Sequence, residues 1–110
     1  MVGPMTYTPD YDHHAPLNFG GFEHSRDFDN SRVVVLPVPF ERTTSYVTGT
    51  RNGPREILLA SGQVELWDEE TQSEAYNRGI YTLPEIELPY NDIRVALDEV
   101  KRVVSDLMAH

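Results

Sequence analysis

At 110 residues, 39% hydrophobic and 25% charged, the chain has the size and composition of one ordinary globular domain or part of one. A formal net charge of -9 and a pI near 4.7, with Lys101 the single lysine, exclude a nucleic-acid or anionic-membrane partner, because such a face needs clustered Lys and Arg. Zero cysteines exclude a disulfide framework, a thiolate zinc site and a cysteine nucleophile.

The first residues lack the basic start and apolar core of a secretory leader, and no run approaches the ~20 apolar residues that span a bilayer, so the cytoplasm is the expected location. Residues 1–31 mix Pro, Gly, Asp, His and aromatics with no period of 2 or 3.6 and read as an irregular amino-terminal arm. Tyr7, Tyr11, Phe19, Phe22 and Phe28 are too many aromatics for a simple flexible tail, so the arm is expected to dock, on a neighbouring subunit or elsewhere.

Residues 32–110 read as α/β. The run at 33–36 suits a strand covered on both faces, as in a parallel sheet. Pro37 and Pro39 cannot donate to a ladder, so sheet pairing is expected to end there and a loop to begin. The loop is hydroxyl-rich, and Gly53-Pro54 marks the start of a short helix that places Ile57, Leu58 and Ser61 on one face and stops near Gly62. Further strands are expected at 64–67 and 80–83. From an Asn91 cap, Ile93, Ala96, Leu97, Val100, Val103, Val104, Leu107 and Met108 recur at helical spacing, with Asp98 set to pair with Lys101 and Arg102. That helix meets His110 with no stop signal, and two or three parallel strands leave uncovered faces and edges, so the sequence is expected to be incomplete.

The pieces Val38-Pro39-Phe40-Glu41, Thr44-Ser45-Tyr46, Gly49-Thr50-Arg51-Asn52-Gly53-Pro54 and Leu66-Trp67-Asp68-Glu69-Glu70 stand in one order and spacing. In that combination residues 30–110 resemble the amino-terminal segment of the ureohydrolase (arginase/agmatinase) family, and within it the agmatinases. The sequence departs from the family pattern at Pro37, where glycine is usual, at Glu41, where aspartate is usual, and at Val47-Thr48, where many members carry Arg-Pro. The resemblance implies a three-layer α/β/α fold with a mostly parallel sheet, here truncated after its first strands and helices. It implies hydrolysis of a guanidino compound, agmatine to putrescine and urea, in a homo-oligomer. It also implies two manganese ions that activate a bridging water, held by Gly-Gly-Asp/Glu-His, Asp-Ala-His-x-Asp and later Asp-x-Asp motifs; the first two do not occur in this sequence, and no Asp-x-Asp occurs within residues 30–110, which carry the resemblance. The 110 residues are therefore expected to supply no catalytic residue and no metal ligand and to be inactive alone.

Thr44, Ser45, Tyr46 and Arg51 lie in a loop at a strand's carboxyl end, where open α/β sheets bind ligands, and are candidates for a substrate rim or for tying the loop backbone. Pro39, Gly49, Gly53 and Pro54 are expected to shape that loop. Asp10-Tyr11-Asp12-His13-His14 is metal-capable, but it lies in the arm and its order does not match the family's histidine motifs, and the adjacent Asp68, Glu69 and Glu70 point different ways and read as a solvated face. Trp67 reads as core or interface. Neither G-x-G-x-x-G nor a P-loop is present, which removes a nucleotide cradle. The competing function is a short non-catalytic protein that docks on a full-length ureohydrolase through its arm and open sheet edge.

Overall fold

The computed structural model describes residues 9–11, 17–21, 27–42 and 46–110. Its elements follow one another as strand β1 (Val33–Val35), helix α1 (Gly53–Ser61), strand β2 (Ile80–Thr82) and helix α2 (Ile93–Met108), with short 3-10 turns at Phe28–Asn30, Thr50–Asn52 and Ala75–Arg78. The two strands pair in parallel, Val33 opposite Ile80, Val34 opposite Tyr81 and Val35 opposite Thr82. A parallel pair needs a long crossover between its strands, and here α1 lies within that connection.

The pairing begins where the Gly79 carbonyl accepts from Arg32 N–H and Val33 N–H at 3.0 and 3.1 Å. Gly79 has φ +90, an angle that glycine adopts without a Cβ clash. Pro37 does end its own strand as a donor, yet its carbonyl still accepts from Ile86 N–H at 3.2 Å, after Leu83 N–H has reached Val35 O at 2.9 Å. The two chains thus stay side by side beyond the formal strands.

Leu83, Ile86 and Val103, each 1% exposed, form the centre of the core with Ala96, Leu58 and Phe28. The Phe28 ring meets Tyr81 edge-on at 5.8 Å between centroids. The expectation that β1 is covered on both faces fails: the side chains of successive strand residues point to opposite faces, and Val33 is 49% and Val34 37% exposed among the described residues. On α1, Leu58 and Ser61 are buried but Ile57 is 63% exposed, since adjacent residues sit about 100° apart around a helix.

Further expectations need correction. The segment 64–67 is no strand; an isolated antiparallel bridge joins Asp68 and Ser73, Gln72 turns with φ +54, and no described strand lies beside the segment to satisfy its backbone. Trp67 is consequently 51% exposed rather than in the core. The cap of α2 is Asp92, one residue after Asn91, its carboxylate accepting from Arg94 and Val95 N–H at 2.9 and 3.3 Å. Only part of the periodic stripe on α2 is covered: Ala96 and Val103 are buried, whereas Ile93, Leu97, Val104 and Met108 remain exposed. Arg102 pairs with Glu99 through two hydrogen bonds of 2.8 and 3.1 Å, not with Asp98, and also donates to Asp10 O at 2.8 Å.

The arm's described residues dock on the same chain. Tyr11 OH donates to Pro84 O at 2.7 Å, Phe19 N–H to Thr82 Oγ1 at 2.9 Å, and Gly20 N–H to Ser61 Oγ at 2.8 Å. Tyr7 and Phe22 lie outside the described residues.

Candidate functional site

β1 and β2 run the same way, so the segments that leave their carboxyl ends emerge at one edge of the sheet, the position where open α/β sheets hold ligands. A crevice of about 550 Å³ opens there. It is lined by Pro39, by Arg51 and Asn52 from the turn that leads into α1, by Arg55 from the first turn of α1, and by the segment 85–89 with Glu85 and Glu87. The lining is therefore charged of both signs, with the Ile86 and Leu88 side of the segment supplying apolar surface.

Local sequence explains how the arginine wall is held. Gly49 takes φ +127, which a side chain resists, and Asn52 N–H closes the turn on Gly49 O at 2.9 Å. One oxygen of Glu41, Oε1, accepts both Gly49 N–H and Thr50 N–H at 2.5 Å. Those amides hold the Glu41 carboxyl below its ordinary value, Gly49 foremost, with Thr50, the Arg51 amide and the Arg51 charge adding to it against some loss of solvent.

The candidate residues divide as follows. Arg51 and Pro39 line the crevice. Tyr46 is 95% exposed and does not line it, and Thr44 and Ser45 lie outside the described residues. Gly49 carries the turn just described, whereas Gly53 is an ordinary right-handed helical residue with open space where a Cβ would stand. Pro54 sits in the first turn of α1 and lines a separate apolar trough of about 290 Å³ with Phe19, Val35 and Ile57. Sequence reasoning missed Asn52, Arg55, Glu85 and Glu87 as crevice residues, and treated Glu41 only as a departure from a pattern. The available signal for Glu41 was an acid placed ahead of a Gly-Thr turn; nothing local announces the wall at 85–89.

Asp68 forms part of a solvated turn: its carboxylate accepts from Glu70 N–H and Thr71 Oγ1, both at 3.0 Å, and these bonds, Thr71 first, lower its pKa. Asp12, His13 and His14 lie outside the described residues. Among the described residues no three His, Asp or Glu side chains converge on a point, so the paired manganese ions implied by the resemblance find no cage there. No helix among them is long and apolar enough to cross a membrane.

Residues 31–110 match the model of the Arginase family. The chain is similar to N(1)-aminopropylagmatine ureohydrolase of Synechocystis sp., 42% identical over 69 residues that cover 62% of this chain and 22% of that protein. It is also similar to the enzyme of the same name from Thermus thermophilus, 47% identical over 49 residues, 44% of this chain and 16% of the relative. Agmatinase of Bacillus cereus is 30% identical over 81 residues, 74% of this chain and 28% of that protein. The chain thus spans less than a third of each of these relatives. No solved structure matches it.

Proposed function

The chain belongs to the arginase family, and from that premise we propose that it forms the amino-terminal part of an agmatinase-like ureohydrolase, which hydrolyses a guanidino compound to urea and an amine. The observation that carries this reading is the family match along residues 31–110, which takes in both strands, both helices and the crevice. Agmatine, giving putrescine, is the first substrate to consider; because the relatives that are 42% and 47% identical are named for N(1)-aminopropylagmatine, that compound stands beside it. The role of this chain is to wall one side of the site: Arg51, Asn52, Glu85 and Glu87 are spaced around a small, polar volume at the sheet's carboxyl edge. A pair of manganese ions, supplying hydroxide near neutral pH when bound, belongs to ligands outside this chain. The complete enzyme works in the cytoplasm as a homo-oligomer.

A chimera tests this reading. Residues 31–110 replace the matching segment of the Synechocystis relative, and urea release is measured from agmatine, N(1)-aminopropylagmatine, 4-guanidinobutyrate and arginine with added manganese. Retained, metal-dependent release from one of the first two supports the proposal. A folded chimera that binds manganese but releases no urea from any of the four overturns it. A second reading, a docking protein without catalysis, draws on the exposed Val33 and Val34 of β1; a stable complex of the 110-residue chain with an intact ureohydrolase, without gain of activity, would favour it.

A further inference from the structure

Glu41 emerges from the extended segment after β1, whose position is secured by the Pro37 carbonyl and Ile86 N–H. Eight residues later the chain turns into α1, and Gly49 and Thr50 stand at a helical start, where backbone amides lack an intrahelical carbonyl. Both are taken by a single oxygen of Glu41. Thr50–Asn52 follows directly and merges into α1, so the carboxylate closes the loop at a point one residue before Arg51. The loop itself offers no comparable anchor at Tyr46 or Val47, 95% and 65% exposed.

We propose that Glu41 is a positioning residue: by clasping the Gly49 and Thr50 amides it fixes where Arg51 stands in the wall of the crevice. Side-chain length matters as much as charge, since aspartate is shorter by one methylene and cannot bring one oxygen to both amides from the same backbone. Glutamine keeps the length and an oxygen acceptor but carries no charge, so it preserves the clasp in weaker form and abolishes its response to pH. The charge that faces Glu41 among the described residues is that of Arg51, which favours the ionised acid. The sign follows from the depressed carboxyl: the clasp is present above the ordinary glutamate range and is released as pH falls through the lowered value.

This inference deepens the proposed function and rests on it only for its catalytic consequence, so it has two separate readouts. In the 110-residue chain, the Gly49 and Thr50 amide resonances are followed by NMR from about pH 7 to about pH 2.5, a range that brackets the carboxylate titration, in wild type, Glu41→Gln, Glu41→Asp and Glu41→Ala. Both amides should be slow to exchange and should titrate together in wild type, lose the titration in Gln, and lose protection in Asp and Ala while α2 signals stay in place. Amides that titrate alike in wild type and Glu41→Gln, or that remain protected in Glu41→Ala, overturn the clasp. In the chimera, Glu41→Ala should lower kcat/KM about tenfold, through KM, with Gln recovering most of the loss. An unchanged KM in a chimera whose amides have lost protection overturns the positioning role. A wild-type chimera without activity counts against the proposed function and leaves the NMR result to decide the clasp.

Discussion

The arm is held by backbone amides that find acceptors on the core, and replacing those acceptors should release it as a unit. Ser61 is 5% exposed; its hydroxyl accepts Gly20 N–H at 2.8 Å and donates to Leu58 O at 2.6 Å. Thr82 is 1% exposed and accepts Phe19 N–H at 2.9 Å. Ser61→Ala removes one acceptor and leaves Gly20 N–H to find water by lifting away, which sets the cost near the net value of a hydrogen bond, about 1 to 1.5 kcal/mol, rather than the full penalty of a trapped donor. Thr82→Val keeps the shape and costs a similar amount, about 1 to 2 kcal/mol, raised by the deeper burial. Each single change should lower the melting temperature by about 4 °C or somewhat more for a domain of this size. Phe19 and Gly20 are adjacent, so once one anchor is gone the other holds a loosened segment and is worth less. The double variant should then fall short of the sum of the singles by at least about 0.5 kcal/mol. Chemical denaturation supplies the free energies, and amide exchange at Phe19 and Gly20 reports the release. Additive costs, with the remaining amide still protected in each single variant, would refute the reasoning.

Gly21→Ala should also loosen the arm, by about 1 to 3 kcal/mol in the same denaturation assay, because the added Cβ would stand 2.9 Å from Gly62 Cα at φ +69. Asp92→Ala should cost about 1 kcal/mol and fray the first turn of α2, seen as faster exchange at Arg94 and Val95, while Asp92→Asn should restore most of it. Below about pH 4.5 the Glu99 carboxylate, held low chiefly by its hydrogen bonds to Arg102, should begin to lose its contribution as it protonates. Stability measured against pH should therefore fall toward acid, and Arg102→Ala should flatten that part of the curve while freeing Asp10.

Local chemistry in the chain was enough for the elements themselves. The β-branched run at Val33 makes a strand, Pro54 and Gly62 bracket α1, Ile80 opens β2, and the spacing from Ile93 to Met108 makes α2, because each signal acts within a few residues of backbone. The order of the loop motifs also carried the family, since a match in a set of turns needs no knowledge of what packs against them. Where a partner distant in sequence was required, periodicity alone misled: the segment 64–67 has strand composition but no neighbouring strand, and half of the apolar stripe on α2 and the valines of β1 find no cover among the described residues. The pairing of Phe19 and Gly20 with Thr82 and Ser61, and the gathering of Arg51 and Arg55 with Glu85 and Glu87 around one crevice, arise only when the crossover brings both strand ends together. Sequence determined which segments form helices and strands and what chemistry they carry; tertiary structure decided which faces meet, because a hydrogen bond or a burial depends on separation in space and not on separation along the chain.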